Sequence, residues 1–239
     1  MQNKNKDFSI NIGRAVGNEL EQYFLKANKR IWIICPWISK RYSKLILDKH
    51  EKGVDVRLIT TTSYKNKSHL NSLLDLIEQK TIDNNIEQKI FSIIKQNKKT
   101  IFAIILFMLL LLIFTDNFII RILLLFCGLG MILYFKFSKK ISNKYFYKAK
   151  IKLKICKTQY ADHNRNDFIH SKIFIIDDIC AIGSVNLTDA GMFKNYETLV
   201  IFKSKKILEK IKGEFNLVWS NPLLDEKNIQ EVGDLYFKK

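Results

Sequence analysis

The sequence predicts an α/β fold: a mixed sheet flanked by helices and interrupted by one long apolar insertion. Three observations lead there. Two short apolar runs, 31–38 and 54–60, flank a helical stretch closed by Gly53, which is the order of a parallel βαβ unit. Further strand-like runs lie at 150–155, 173–176, 179–182 and 198–202. Between these halves, residues 101–137 are far too apolar for a water-facing surface.

The elements follow in order. From Ser9 to Lys29, Ile12, Val16, Leu20 and Phe24 recur at every fourth position, predicting one face of a helix. Arg30 to Ser39 contains a continuous β-branched and aromatic run halted by Pro36, as in a buried strand. A helix is expected over 40–52, and 54–60 is the second strand. Residues 68–99 are expected to be amphipathic helix, with Leu70, Leu73, Leu74, Ile77, Ile86, Ile90, Phe91 and Ile94 on the apolar side.

Asp116 and Asn117 divide the apolar block into two segments of about 15 and 18 residues, short of the ~20 that a ~30 Å hydrocarbon core requires. The block is therefore expected to be a transmembrane or re-entrant helical hairpin, 100–115 and 118–136. Lys95, Lys98 and Lys99 precede it, and Lys136, Lys139 and Lys140 follow it, so both flanks are expected on the cytoplasmic side. Beyond it, Lys136, Lys140, Lys144 and Lys148 fall at helical spacing beside Tyr145, Phe146 and Tyr147, which suits either anionic headgroups or a solvated face. Strict alternation over 150–155 gives a strand with one basic face, Asp177-Asp178 is a tight turn between two more, and 205–219 is an amphipathic helix.

Composition sets limits on function. With 239 residues, 47% hydrophobic and only two prolines, the chain holds one sizeable domain or two small ones and excludes extensive disorder. A formal charge of +17 favours a polyanionic partner, nucleic acid or an anionic lipid surface, without choosing between them. Cys35, Cys127, Cys156 and Cys180 lack paired or metal-like spacing, so reduced thiols are expected and no metal site. The first ten residues lack the apolar stretch of a secretory signal.

Chemistry concentrates in His170-Ser171-Lys172, Asp177 and Gly183-Ser184-Val185-Asn186. At a strand start, His170 and Lys172 project to the same side. Gly183 admits a ligand close to the backbone, and Ser184 and Asn186 offer donors to phosphate oxygens. A neutral imidazole can attack phosphorus while an ammonium offsets charge on the phosphoryl oxygens.

This arrangement resembles the phospholipase D superfamily, whose signature is H-x-K-x4-D-x6-G-S-x-N; here the Asp177–Gly183 spacing is one residue shorter. Asn195-Tyr196-Glu197 matches the family's downstream N-x-E, and Trp219 and the opening βαβ agree further, so the likeness covers about residues 9–62 and 150–221. The resemblance implies that His170 forms a phosphohistidine, that Lys172 and Asn186 hold the phosphoryl oxygens with Ser184 nearby, and that Glu197 orients the His170 ring. Asp177 is implied to be structural more than a proton carrier. Family members use two facing motifs, and this chain has one, because His50, His69 and His163 lack the following lysine and Gly-Ser. The implication is a homodimer with one composite site, needing no cofactor or metal.

The substrate is a phosphodiester, with three readings. A nuclease is favoured by Lys150, Lys152, Lys154, Lys157, Arg165 and Lys172, which crowd the approach to His170. A phospholipase or phosphatidyl transferase on anionic lipid such as cardiolipin is favoured by the hairpin and the basic flank. A non-catalytic membrane scaffold is the third. The expected organisation is 1–67 as the first part of the catalytic domain, 68–99 as a stalk, 100–137 as the hairpin and 138–239 as the second part.

Overall fold

In the computed structural model the described residues are 7–62, 66–81, 96–114, 117–119, 122, 125–126, 128–130, 145–156, 169–222, 224 and 227–237. Arg30–Ile34 forms the strand β2, helix α2 spans Lys40–Glu51, and Asp55–Thr61 forms β3. β2 and β3 pair in parallel, Ile33 opposite Leu58, as the order strand–helix–strand requires. Gly53 ends the intervening helix: its φ of 86° lies in the left-handed region, and its N–H reaches the His50 carbonyl.

The hairpin strands β7 (Ile173–Ile176) and β8 (Ile179–Gly183) flank β2 on its other side. Ile176 pairs with Ile179, leaving a two-residue turn with Asp177 at φ 48°. That turn accommodates the short Asp177–Gly183 spacing. With β1 (Phe8–Gly13), β6 (Lys152–Cys156) and β9 (Glu197–Phe202), the large sheet runs β1-β9-β8-β7-β2-β3-β6. β4 (Ile77–Thr81) and β5 (Tyr145–Ala149) form a separate two-stranded sheet.

Helices cover the large sheet on both faces. Helix α1, Gly17–Lys26, sends Leu20 and Phe24 onto one face, where the Phe24 ring meets Tyr42 at 6.3 Å and Phe174 at 6.0 Å. Helix α5, Lys205–Trp219, covers the other face with Leu208, Ile211 and Phe215 against Trp32, Ile34, Ile59, Ile175 and Cys180. Each such large side chain contributes about 1.5–3 kcal/mol on full burial. The remaining described helices are α3 (Lys67–Asp75), α4 (Lys98–Phe114) and α6 (Lys227–Tyr236).

Three expectations need correction. Residues 9–29 are not one helix: Phe8, Ile10 and Ile12 alternate as strand β1, because the period-two pattern and the pairing offered by β9 outweigh the four-residue spacing, and the chain turns at Gly13, φ 131°. Of 68–99, helix α3 ends at Asp75 and Ile77–Thr81 is strand β4, whereas 82–95, with Ile86, Ile90, Phe91 and Ile94, lie outside the described residues. Tyr145, Phe146, Tyr147 and Lys148 lie on strand β5, not on a helix; Lys136, Lys140 and Lys144 lie outside the described residues.

The chain divides into two compact units, 1–80 with 147–239, and 81–146. In the second unit, α4 is a 17-residue helix that exposes Phe102, Leu106 and Phe107. Among the described residues no helix is long and apolar enough to cross a membrane. Much of 118–136 lies outside the described residues, and so do Cys127, His163 and Arg165.

Candidate active site

Antiparallel pairing of β7 with β2 brings Ile173 opposite Ile34, so the segment 170–172 sits at the carboxyl ends of the parallel strands β2 and β3. Ligand crevices of open α/β sheets form at that edge. A cavity of about 340 Å³ opens there, lined by His170, Ser171, Lys172, Ile173, Ile182, Gly183 and Ser184. His170 is exposed to it, whereas Lys172 is only 7% exposed. The Lys172 Nζ donates to the His170 carbonyl at 2.6 Å, which draws the ammonium against the backbone of its own strand. Burial pulls the Lys172 pKa below its ordinary value, partly offset by Cys35 and the Glu197 carboxylate.

Gly183 and Ser184 are positioned by β9. The Gly183 N–H reaches the Lys172 carbonyl at 3.3 Å, and the Ser184 N–H reaches that of Thr198 at 3.0 Å. The Ser184 hydroxyl donates to Glu197 Oε2 and accepts the Thr198 N–H at 3.0 Å. Asn195 Nδ2 donates to Glu197 Oε1 at 3.3 Å. Ser184 thus joins the cavity wall to a carboxylate held at both oxygens.

Asn186 lies off the cavity wall, half-buried, its Oδ1 3.8 Å from the Cys35 sulfur. Cys35 follows Ile34 on β2 and so falls beside Lys172, an adjacency visible in the sequence only once the β2–β7 register is known. The buried thiol donates to the Trp37 carbonyl at 3.2 Å and accepts the Leu187 N–H at 3.3 Å. Burial pushes its pKa up to about 11. The loop after β2 clamps the Asn186 segment further: Ile38 bridges Leu187, and the Ser39 N–H reaches the Leu187 carbonyl at 3.0 Å. Gly191, in a π-helical turn Ala190–Lys194, packs so tightly that a methyl group there would lie 2.5 Å from the Asn186 carbonyl oxygen. Sequence reasoning missed Cys35, which acts through packing between distant segments, and Gly191, whose close approach to Asn186 depends on the π-helical turn Ala190–Lys194.

Two groups of expected residues are not brought to the cavity. Asp177 sits at the far end of β7, about 13 Å along the strand from Ile173. Its carboxylate accepts the backbone N–H groups of Asn28, Lys29 and Arg30 at 3.0, 2.9 and 2.9 Å. It anchors the entry to β2. The expected approach lysines lie elsewhere too. Lys154, Ile59, Ile34 and Ile173 are successive register partners and share one sheet face, whereas Lys172 follows the alternation to the other. Lys154 instead stands over the Trp219 ring at 5.5 Å, Lys152 pairs with Asp55 at 2.6 Å, and Lys150 donates to the Asp75 carbonyl at 2.8 Å. The strand's strict alternation caused the misplacement, since it fixes which residues share a face but not which face meets the site. Among the described residues no group of three or more His, Cys, Asp or Glu side chains could hold a metal ion.

Comparison with known proteins adds to this geometry. Residues 20–219 match the family described as cardiolipin synthase, PLD-like domain. Among solved structures, NucT from Helicobacter pylori is 14% identical, with a TM-score of 0.45, over 87% of this chain and 92% of that one. Nuc from Salmonella typhimurium, a phospholipase D family member, is 14% identical with a TM-score of 0.46, over 89% and 94%. A phosphatidylserine synthase from Haemophilus influenzae is 16% identical with a TM-score of 0.42, over 97% of this chain and 44% of that one. No curated protein matches. A family match over most of the chain, with the His170–Lys172 and Gly183–Ser184 segments meeting at one cavity, places this protein in the phospholipase D superfamily.

Proposed function

We propose that the chain is a phosphodiesterase that cleaves nucleic acid through a covalent intermediate on His170. The observation that carries the diesterase chemistry is the open cavity shared by His170, Lys172, Gly183 and Ser184, and the formal charge of +17 supports a polyanionic substrate. The imidazole nitrogen attacks phosphorus, forming an N–P bond as the P–O bond to the leaving group breaks. The leaving oxygen takes a proton from an acid, and water then cleaves the N–P bond to restore His170. Lys172, on the cavity wall, offsets charge on the phosphoryl oxygens with Ser184 nearby. Asn186, set back from the wall with its Oδ1 toward Cys35, has its amide N–H groups to offer them, and Glu197 holds the imidazole in orientation.

The acid is the histidine of a second copy, so the working enzyme is a homodimer. Support comes from the other described histidines. The His69 ring is buried, with Nδ1 accepting the Ile38 N–H at 3.1 Å and Nε2 2.7 Å from the Thr61 carbonyl, and His50 lies on α2. Side chains supply both nucleophile and charge stabilisation, so the scheme calls for no metal step.

A membrane tether through 100–137, with the catalytic part on the cytoplasmic side, belongs to the same reading. It is supported by the exposed Phe102, Leu106 and Phe107 of α4, by the unbroken apolar run 101–114 in the sequence, and by the lysines bracketing the block. At 17 residues α4 spans about 26 Å, less than a ~30 Å core, so the tether is read as shallow or locally thinning. That helix also favours a second reading, a phospholipase or phosphatidyl transferase on anionic lipid.

One experiment separates them. The full chain in detergent and chelator is given nucleic acids and phospholipids side by side, with His170→Ala as control. Nucleic-acid cleavage reduced about a thousandfold or more by the substitution is expected. Cleavage of lipid alone discards the nuclease, and activity retained by His170→Ala discards the mechanism. A fully active monomer by mass measurement discards the composite site.

A further inference from the structure

Beside the cavity, on the same edge of the sheet, stands a pair of side chains that the scheme above does not use. Tyr196 lies between Asn195 and Glu197 and is 76% exposed. The Arg14 guanidinium stacks on its ring, 4.8 Å from the centroid. The two come from distant parts of the sequence and meet because Gly13 pairs with Glu197 at the end of the β1–β9 ladder. Arg14 is itself flanked by two residues of positive φ, Gly13 at 131° and Ala15 at 55°. For Ala15 that conformation is unfavourable, and it persists only where surrounding structure enforces it.

We propose that Tyr196 and Arg14 form a subsite for single-stranded nucleic acid beside the phosphodiester pocket, Tyr196 stacking one base and Arg14 meeting the adjoining phosphate. The inference rests on the nuclease reading and names its strand preference. Three features of the pair select this ligand. A ring with one face on a guanidinium and the other open can take a base as the outer layer of a stack, and such stacking tolerates any base. A base inside a duplex has no free face, so the subsite admits unpaired nucleotides. The anionic lipid headgroup of the second reading could meet the Arg14 charge but carries no flat ring to stack on Tyr196, which an unpaired base does. Through Glu197 and Ser184 the subsite adjoins the cavity wall, so the stacked base belongs to a nucleotide next to the scissile phosphate.

The test uses the full chain in detergent. In a His170→Ala background, binding of a fluorescein-labelled single-stranded oligonucleotide is followed by anisotropy. Tyr196→Ala is expected to raise Kd about tenfold, and Tyr196→Phe to restore most of the affinity. Arg14→Ala is expected to weaken binding and reduce its salt dependence. In active protein, the loss that Tyr196→Ala causes on the oligonucleotide should exceed its loss on bis(p-nitrophenyl) phosphate, which has no flanking base, by about tenfold. Unchanged oligonucleotide affinity in Tyr196→Ala overturns the subsite alone. Equal losses on both substrates overturn it too, since the ring would then be acting through Asn195 and Glu197. Should the His170→Ala parent bind no oligonucleotide, the nuclease reading falls and the subsite with it. If wild-type protein hydrolyses no diester while anisotropy still responds to Tyr196, the chemistry assigned to His170 fails and the subsite stands.

Discussion

Gly183 and Thr198 cross so closely at the junction of β8 and β9 that a methyl group on Gly183 would fall inside the contact radius of the Thr198 carbonyl oxygen. The same crossing fixes Ser184, whose N–H bonds that carbonyl and whose hydroxyl accepts the Thr198 N–H. Gly183→Ala is therefore expected to push β8 from β9 at the cavity wall. Stability should fall by about 1–3 kcal/mol in chemical denaturation, as for an overpacked core. Activity should fall about a hundredfold, because the reacting groups lose register. Unchanged kcat would show that the crossing does not set the site.

Cys35 is expected to matter through its contacts and not through its reactivity. Cys35→Val deprives the buried Leu187 N–H of its acceptor, at a cost of about 1–3 kcal/mol, and lowers kcat more than it alters KM by loosening Asn186. Cys35→Ser keeps a donor and an acceptor and should recover most of the activity. With its pKa pushed up to about 11 and its sulfur buried, the native thiol should resist iodoacetamide at pH 8, measured by mass spectrometry. Rapid labelling of Cys35 in folded protein would contradict the packing.

Asp177→Ala separates anchoring from catalysis. The substitution strands three N–H groups at the start of β2 and should cost about 1–2 kcal/mol, with kcat largely retained. Burial raises the Asp177 pKa, but the N–H groups of Arg30, Asn28 and Lys29 outweigh it, and the net value lies below the usual carboxylate range. A depressed pKa gives stability that is present above the unfolded value, about 3.9, and is lost as pH falls through the folded one. Acid unfolding of Asp177→Ala should lose part of this dependence. A large loss of kcat would instead make Asp177 a participant in the reaction.

His69 makes a second acid-sensitive point. Burial lowers its pKa, and its Nδ1 accepts the Ile38 N–H, so the folded protein holds it neutral. Its contribution is full above the unfolded value, about 6.5, and declines as pH drops below that. Urea midpoints should fall between pH 7 and 5, and His69→Asn should flatten that slope while lowering the midpoint throughout. An unchanged slope would show that another group carries the dependence.

Where local pattern and tertiary demand agree, elements were legible in the sequence. The apolar runs of β2 and β3, the two-residue turn at Asp177-Asp178 and the helix Lys205–Trp219 are each specified by neighbouring residues. The helix reading of 9–29 failed because Ile12, Val16, Leu20 and Phe24 satisfy a four-residue spacing by accident, across the end of β1 and the start of α1. The lysines of β6 were legible as one face, yet the sheet carries that face away from Lys172.

The sequence by itself determined the residue types of the motif, their order and the strands that carry them, because a six-position pattern on a hairpin is local information. Only the tertiary structure decided that Cys35 lies beside Lys172, that Ser184 bridges to Glu197, that Asp177 anchors β2 from the far end of β7, and that Arg14 stacks on Tyr196. Each of these depends on strand register between segments far apart in the chain, and register is set by how whole faces pack.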